Sequence, residues 1–223
     1  QQELAAIRRG ELGELCADSD LTGLTVMSNY YENSAQISRY LHEHTRAPII
    51  WGGIHPTIEP EECLDVADMV CIGEGEEALL ELVDQMAAGK GTEGVRNIWY
   101  QKDGEVVRTA LRPLPQDLDQ FPAPDYDMEG HFVLHKGKIQ PLDTELYKFY
   151  LSYPYTADSE PTYLGIMSRG CTYNCTYCNN NALRGVYGKQ WKVRRRSVDN
   201  FIQELKEITT RYPWIRWINI EDD

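Results

Sequence analysis

Three short apolar segments near the start of the chain constrain its fold most strongly. They comprise residues 21–28, 48–51 and 69–72, and the second and third end at glycines. Their residues are apolar without alternation, which is typical of parallel strands that are buried on both faces. Between and after them, apolar residues recur at the spacing of amphipathic helices. The pattern predicts an open α/β sheet of parallel strands.

A change of composition divides the chain after this region. Residues 95–108 predict a β-hairpin around an Asp-Gly turn, and four prolines within residues 113–124 then suppress regular structure. A new strand is predicted from residue 163, followed by a helix capped by Ser197 and a strand over residues 214–220. We therefore predict a front α/β domain (1–112), a proline- and tyrosine-rich linker (113–160) and the start of a second domain (161–223).

The charge balance narrows the classes of function. The 223 residues include 35 acidic and 22 basic side chains, for a net charge of −13. Phosphate attraction needs an excess of Lys and Arg, so general binding to nucleic acid or anionic membranes is not expected. The apolar runs are too short for a membrane span, and no secretory signal is visible. The basic stretch 189–196 is predicted to be a solvated loop before the Ser197 cap.

Three of the six cysteines lie within eight residues, at positions 171, 175 and 178. The others, Cys16, Cys63 and Cys71, are scattered and are expected to be buried. No pairing pattern of a secreted disulfide scaffold is present, so the cluster indicates a metal site in a reducing cytoplasm. Cysteine thiolates hold iron–sulfur clusters, usually four for a 4Fe–4S cluster. Three such ligands would leave one iron open to an exchangeable ligand.

Zinc is the alternative metal for this cysteine segment. A structural zinc ion takes four protein ligands, commonly in C-x-x-C pairs. Cys175 and Cys178 form one such pair, but no second pair or H-x-x-x-H completes the set. The spacing therefore favours an iron–sulfur cluster.

The cysteine segment resembles the signature of the radical S-adenosylmethionine superfamily, C-x-x-x-C-x-x-C with an aromatic residue before the last cysteine, here Tyr177. The resemblance implies that Cys171, Cys175 and Cys178 ligate a 4Fe–4S cluster and that S-adenosylmethionine binds its open iron, with Tyr177 near the adenine. It also implies reductive cleavage of S-adenosylmethionine to a 5′-deoxyadenosyl radical, with electrons from a flavodoxin or ferredoxin. No amino acid is assigned as a catalytic residue.

The last predicted strand ends in three carboxylates, Glu221, Asp222 and Asp223. In the superfamily, polar residues at the end of the second barrel strand contact the amino group of S-adenosylmethionine, and this acidic end resembles the variant of cobalamin-associated members. By that resemblance the three carboxylates are candidate cofactor contacts, since cofactors bind at the carboxyl ends of barrel strands. A solvated acidic tail is the alternative.

The front domain offers a second cofactor site, because ligands of open α/β sheets bind at the carboxyl ends of the strands. Segment 52–57 (GGIHPT), followed by segment 68–76, resembles the cobalamin-binding domain that precedes the radical domain in one branch of the superfamily. Magnesium-protoporphyrin monomethyl ester anaerobic cyclases and many carbon methylases belong to that branch. By that resemblance, the cobalamin nucleotide tail is lined by Ser28, Gly52, Gly53 and Gly73.

An axial ligand for the cobalt is not predicted. The D-x-H-x-x-G motif, whose histidine binds cobalt in some cobalamin proteins, is absent from the sequence. His55 stands beside Pro56 in a turn, and such a histidine is expected to have a structural role.

The predicted fold is α/β, with a partial Rossmann-like cobalamin-binding domain followed by the first strands of a partial (β/α)6 radical S-adenosylmethionine barrel. Both resembled domains have further strands, so we expect a fragment that is truncated at both ends and poorly active alone. The expected enzyme transfers a methyl group to carbon, or forms a ring, on a small-molecule substrate. The alternatives are a tRNA methylthiotransferase-like enzyme and a non-catalytic cobalamin or metal sensor. No nucleic-acid or membrane partner is expected.

Overall fold

The computed structural model describes residues 10–152 and 160–221. They form two compact units, one of residues 10–114 and 175–191, the other of residues 115–152, 160–174 and 192–221. The segment that begins at Cys175 thus packs as part of the first unit. No helix among the described residues is both long and apolar enough to cross a membrane.

The strands and helices follow one another in α/β order. The strands are β1 (Thr22–Thr25), β2 (Ile49–Gly52), β3 (Met69–Cys71), β4 (Ile98–Lys102), β5 (Glu105–Val107), β6 (Phe132–His135), β7 (Lys138–Pro141), β8 (Thr162–Ile166), β9 (Ser168–Arg169), β10 (Arg194–Arg195) and β11 (Trp217–Glu221). The helices are the described part of α1 (residues 10–16), α2 (Tyr31–His44), α3 (Ile54–Ile58), α4 (Pro60–Cys63), α5 (Glu76–Ala87), α6 (Thr144–Leu151), α7 (Asn179–Tyr187) and α8 (Val198–Arg211).

The first unit is built on a five-stranded sheet in the order β1-β2-β3-β4-β5. The first three strands are parallel, β4 pairs antiparallel with β3, and β5 completes a hairpin with β4. The predicted parallel sheet and hairpin are confirmed. Helix α2 begins at Tyr31, and its N-cap residue, Tyr30, makes no side-chain cap hydrogen bond.

Strand β2 shows why a strand in the middle of this sheet is apolar. Ile49 and Trp51 pack with Leu41 on one face of the sheet, whereas Ile50 packs with Leu82 of α5 on the other. Trp51 is fully buried, and its indole N–H donates a hydrogen bond to Ser38 Oγ of α2 at 2.8 Å. A strand covered on both faces has no polar positions to alternate with apolar ones.

The second unit contains three two-stranded sheets. Strand β8 pairs parallel with β11, and α8 covers one of its faces so closely that a Cβ on Gly165 would lie 2.6 Å from Phe201 Cζ. On the other face, Leu164 and Ile166 are exposed. The predicted Ser197 cap is confirmed, since its Oγ accepts a hydrogen bond from the Asn200 N–H at 3.1 Å.

The basic stretch before this cap is not simply solvated, so that prediction is wrong for two of its arginines. Arg194 is buried and donates a hydrogen bond to the Pro115 carbonyl at 3.1 Å. The Arg196 guanidinium lies 2.7 Å from the buried carboxylate of Glu204. Both side chains therefore stabilise the second unit instead of forming a solvated loop.

Candidate functional site

The carboxyl ends of the parallel strands form the edge at which the cobalamin site is predicted. Ser28 lies in a short 3₁₀ turn after β1 and is exposed, and Gly52 ends β2. A Cβ on Gly52 would meet only Cys71 Cβ, at 3.9 Å, which is an ordinary contact. These two positions therefore leave space for a ligand beside the backbone.

The other two predicted glycines are required by the packing of the protein itself. Gly53 has a φ of 97°, and a Cβ there would lie 3.0 Å from the Val26 carbonyl oxygen. Gly73 has a φ of 75°, and a Cβ there would collide with the hydroxyl of Tyr187. Their predicted contact with cobalamin stays a prediction, while the structure supplies an independent reason for glycine at both positions.

Three side chains hold the turn after β3 by hydrogen bonds. The Gly73 N–H donates to Thr57 Oγ1 at 2.9 Å, and that hydroxyl donates to the Gly53 carbonyl at 2.8 Å, which links the two glycine turns. Asn97 Nδ2 donates to the Ile72 carbonyl at 2.7 Å. Asn97 was not identified from the sequence, because nothing local to it indicates a contact with this turn.

Tyr187 is the third side chain that holds this turn. It ends α7, is buried, and its hydroxyl accepts a hydrogen bond from the Glu74 N–H at 2.8 Å. Its partner lies 113 residues earlier in the chain, so no periodicity or motif in the sequence could reveal this contact.

His55 has partners within the protein, as expected of a structural histidine. Its ring is buried, with Nδ1 3.1 Å from Ser28 Oγ and Nε2 3.5 Å from the Glu62 carboxylate. It also packs edge-on against Tyr31, with ring centroids 5.0 Å apart. The histidine thereby fixes the position of Ser28 at the sheet edge.

The scattered cysteines are part of the protein interior. Cys63 and Cys71 are buried, and burial raises the pKa of the Cys63 thiol to about 12 and that of the Cys71 thiol to about 11, with nearby glutamates adding to both effects. Cys16 is half-buried and packs against the core. The expectation of burial is confirmed for Cys63 and Cys71 and holds only in part for Cys16.

The three clustered cysteines are more accessible. Cys175 is exposed, whereas Cys171 and Cys178 are half-buried. The Cys178 N–H donates to the Cys175 carbonyl at 3.1 Å, and Cys178 is the N-cap residue of α7. Cys175 and Cys178 therefore share one turn at the start of that helix, in the first unit, while Cys171 belongs to the second unit. Tyr177, between them, is 91% exposed.

The donor chemistry of this segment fits an iron–sulfur cluster. All six cysteines lie in the described part of the chain, and each is a thiol, not half of a disulfide. Within residues 10–152 and 160–221, no group of three or more His, Cys, Asp or Glu side chains is arranged to hold a metal ion.

The predicted carboxylate site is described only in part. Glu221 is exposed at the end of β11, and its Oε1 accepts a hydrogen bond from Asn219 Nδ2 at 2.9 Å. Asp222 and Asp223 lie outside the described residues.

Comparison with known proteins bears on both predicted sites. Residues 16–83 match the family model of the B12 binding domain. The chain is 31% identical over 213 residues to an uncharacterized methyltransferase of Pyrococcus horikoshii. This match covers 92% of the present chain and 40% of the methyltransferase. It is 24% identical over 160 residues to the anaerobic magnesium-protoporphyrin IX monomethyl ester cyclase of a Synechocystis strain, which covers 70% of this chain and 27% of the cyclase.

A solved structure shares the fold. The cobalamin-dependent S-adenosylmethionine radical enzyme OxsB, with aqua-cobalamin and S-adenosylmethionine bound, superposes with a TM-score of 0.67 at 20% identity. The match covers 98% of this chain and 28% of that enzyme. The predicted fold class and the resemblance to the cobalamin-binding branch of the radical S-adenosylmethionine superfamily are thus confirmed.

Proposed function

We propose that this chain is part of a cobalamin-dependent radical S-adenosylmethionine enzyme that acts on a small molecule. The observation that carries the proposal is the order of two signatures along the chain, a B12 binding domain over residues 16–83 and then the C-x-x-x-C-x-x-C segment from Cys171. The chain spans about two fifths of the length of the Pyrococcus relative, so the activity proposed is that of a longer protein.

Cobalamin would be held at the carboxyl edge of the front sheet. Ser28 and Gly52 provide open space there, and Gly53 and Gly73 form the turns on either side. The hydrogen bonds through Thr57 keep these turns at a fixed separation. We assign no axial ligand to the cobalt, because the His55 ring is buried, with Nδ1 3.1 Å from Ser28 Oγ and Nε2 3.5 Å from the Glu62 carboxylate.

Cys171, Cys175 and Cys178 would hold the 4Fe–4S cluster. When bound, the cluster supplies the electron that cleaves S-adenosylmethionine into methionine and a 5′-deoxyadenosyl radical. Tyr177 is exposed and available to contact the adenine, and Glu221 is exposed at the end of β11 for the amino group. A flavodoxin or ferredoxin is the proposed electron donor.

The proposed reaction is methyl transfer to carbon or ring formation. The support is that one relative carries the name methyltransferase and another the name cyclase. The protein contributes binding and orientation of its cofactors, which supply the reactivity.

Anaerobic reconstitution of the full-length protein tests the cluster. We expect iron–sulfur absorbance and dithionite-dependent 5′-deoxyadenosine, and we expect the Cys175→Ala variant to lose both. Cys16→Ser is the matched control, since Cys16 packs against the core of the first unit and should leave both signals intact. Tetrahedral zinc at the three cysteines, or colourless protein after loading with iron and sulfide, would overturn the proposal.

A titration with hydroxocobalamin tests the second cofactor. The parent protein should bind it, and Gly52→Ala should bind about tenfold more weakly because the added methyl group narrows the cleft, a cost of about 1.4 kcal/mol. The same variant should keep its stability, since the methyl group makes only an ordinary contact. Cobalamin binding without cleavage of S-adenosylmethionine would instead indicate a sensor.

A further inference from the structure

Within the first unit, Tyr187 connects the predicted cobalamin site to the helix whose N-cap residue is Cys178. Its hydroxyl accepts the Glu74 N–H at 2.8 Å and fills the space in which a side chain on Gly73 would lie. The ring is buried and stacks on Trp191, with centroids 6.3 Å apart. A buried hydroxyl bonded to a backbone amide is a fixed contact, because breaking it would leave the amide without its partner.

The turn that Tyr187 contacts is a defined element of the sheet edge. Thr57 holds the Gly73 N–H, and Asn97 Nδ2 lies 3.4 Å from the Glu74 carbonyl oxygen in addition to its bond with Ile72. Thr57 lies in α3 and Asn97 directly precedes β4, so both belong to the elements around the five-stranded sheet. Tyr187 lies in α7, the helix that follows the cysteine motif. A movement of this turn therefore moves Tyr187 as well.

Helix α7 connects that contact to residues 171–178, the cysteine loop. It runs from Asn179 to Tyr187, and Cys178 is its N-cap residue. Nine helical residues span about 13 Å, a length over which a single α-helix behaves as a stiff rod. Val186 packs against the core of the first unit, and Asn180 is buried at the start of the helix, so α7 is held near both of its ends.

We propose that Tyr187 is a positioning residue that couples cobalamin binding to assembly of the iron–sulfur cluster. This inference rests on the proposed function. Cobalamin bound at the sheet edge further stabilises the preformed turn at Gly73 and with it the Tyr187 contact, and α7 then holds Cys175 and Cys178 in place for the cluster. Coupling between two binding sites is reciprocal, so the assembled cluster strengthens cobalamin binding by the same factor.

The experiment measures the affinity of the full-length protein for hydroxocobalamin, by absorbance, with and without the reconstituted cluster. We expect the cluster to strengthen binding about tenfold in the parent protein, within the usual range for coupled sites. In Tyr187→Phe we expect the factor to fall to about twofold or less, because the phenyl ring keeps the packing but cannot bind the Glu74 N–H. Tyr40→Phe on α2 is the matched control, since Tyr40 stacks on His44 within its own helix, and it should keep the parent's factor.

Hydrogen exchange of the parent protein gives a second test that needs no variant. Hydroxocobalamin should slow hydrogen exchange of the amides in α7. If the helix is independent of the sheet edge, the exchange rates of these amides should not change. The proposal is overturned if both cofactors bind but their affinities are independent, or if Tyr187→Phe keeps the parent's coupling factor. Failure of the parent protein to bind either cofactor would overturn the proposed function as well, so the two failures are distinguishable.

Discussion

The carboxyl edge of the front sheet and the cysteine loop carry the two predicted cofactor sites, and they are built in opposite ways. At the sheet edge, Thr57 and Tyr187 accept hydrogen bonds from backbone N–H groups of the turn after β3, and Asn97 donates one to it. In the cysteine loop, Cys175 and Tyr177 are exposed, and the part of the chain that the structure describes contains no assembled group of metal ligands.

The difference follows from how each cofactor is held. A cofactor recognised by shape benefits from a preformed cleft, because ordering loops during binding costs free energy. A metal centre instead forms strong bonds that can order its own ligands, so that binding and local folding occur together. We therefore expect the sheet edge to behave as folded structure and the cysteine loop to change when metal binds.

The rate of thiol alkylation should differ more between the two regions than any other measured property. Cys71 ends β3 and is buried, and burial raises its pKa to about 11, so at pH 8 it is inaccessible and protonated. Iodoacetamide should modify exposed Cys175 about 10³-fold faster, since a buried thiol reacts only through openings that cost several kcal/mol. Mass spectrometry of peptides over time measures both rates. Cys63 should be as slow as Cys71, and similar rates at Cys71 and Cys175 would show that the sheet edge is open.

Substitution of Gly73 should be the most destabilising change at the sheet edge. Gly73→Ala forces a positive φ on alanine and drives its methyl group into Tyr187, so we expect a loss of about 3 kcal/mol or more in the free energy of unfolding. Gly104→Ala is the control, because Gly104 also has a positive φ, of 82°, but lies in open space. It should lose about 1 kcal/mol. Urea unfolding measures both, and equal losses would show that the Tyr187 contact does not constrain the turn.

Removal of the Asn97 side chain should have a smaller effect. Asn97 has a φ of 71°, and its Oδ1 accepts the Arg112 N–H at 2.6 Å while Nδ2 donates to Ile72. Asn97→Gly removes the strain of the positive φ, but it takes away the side chain that binds the Arg112 N–H and the Ile72 carbonyl. This loss should lower the free energy of unfolding by about 2 kcal/mol. Asp103→Gly, at an exposed position with a φ of 53°, should be neutral or slightly stabilising in the same urea experiment. Equal stability of the two variants would contradict a structural role for the amide.

The fold could be predicted where its signals are local. Strands β2 and β3 are continuous apolar runs, and the β4–β5 hairpin has a strong Asp-Gly turn. Residues 125–160 are predicted only as part of the linker. They contain the β6–β7 hairpin, whose turn at Lys136 and Gly137 is a weaker signal, and whose strands are only partly buried. Short strands without a buried face show no clear period.

The site could be predicted only where its residues are neighbours in sequence. The cysteine motif lies within eight residues, and GGIHPT contains Thr57 together with two of the glycines. The contacts of Tyr187 with Glu74 and of Asn97 with Ile72 join residues 113 and 25 positions apart, so they arise from tertiary packing alone. The prediction of a solvated loop for the basic stretch is wrong for the same reason, because net charge does not show which arginines have a buried acceptor.

The loss of folding stability at alkaline pH should differ least between variants of the two regions. The Cys71 thiol has an ordinary pKa near 9 in the unfolded chain, and burial raises it to about 11 in the folded one. Between these values the unfolded chain has lost a proton that the folded chain retains, so stability is complete below pH 9 and falls as pH rises toward 11. The slope contributed by one such thiol approaches about 1.4 kcal/mol per pH unit. Urea unfolding between pH 8 and 10.5 should show a shallower decline for Cys71→Ala than for the parent protein. Cys175→Ala removes an exposed thiol and should keep the parent's slope, and an unchanged slope in Cys71→Ala would contradict burial of that thiol at the sheet edge.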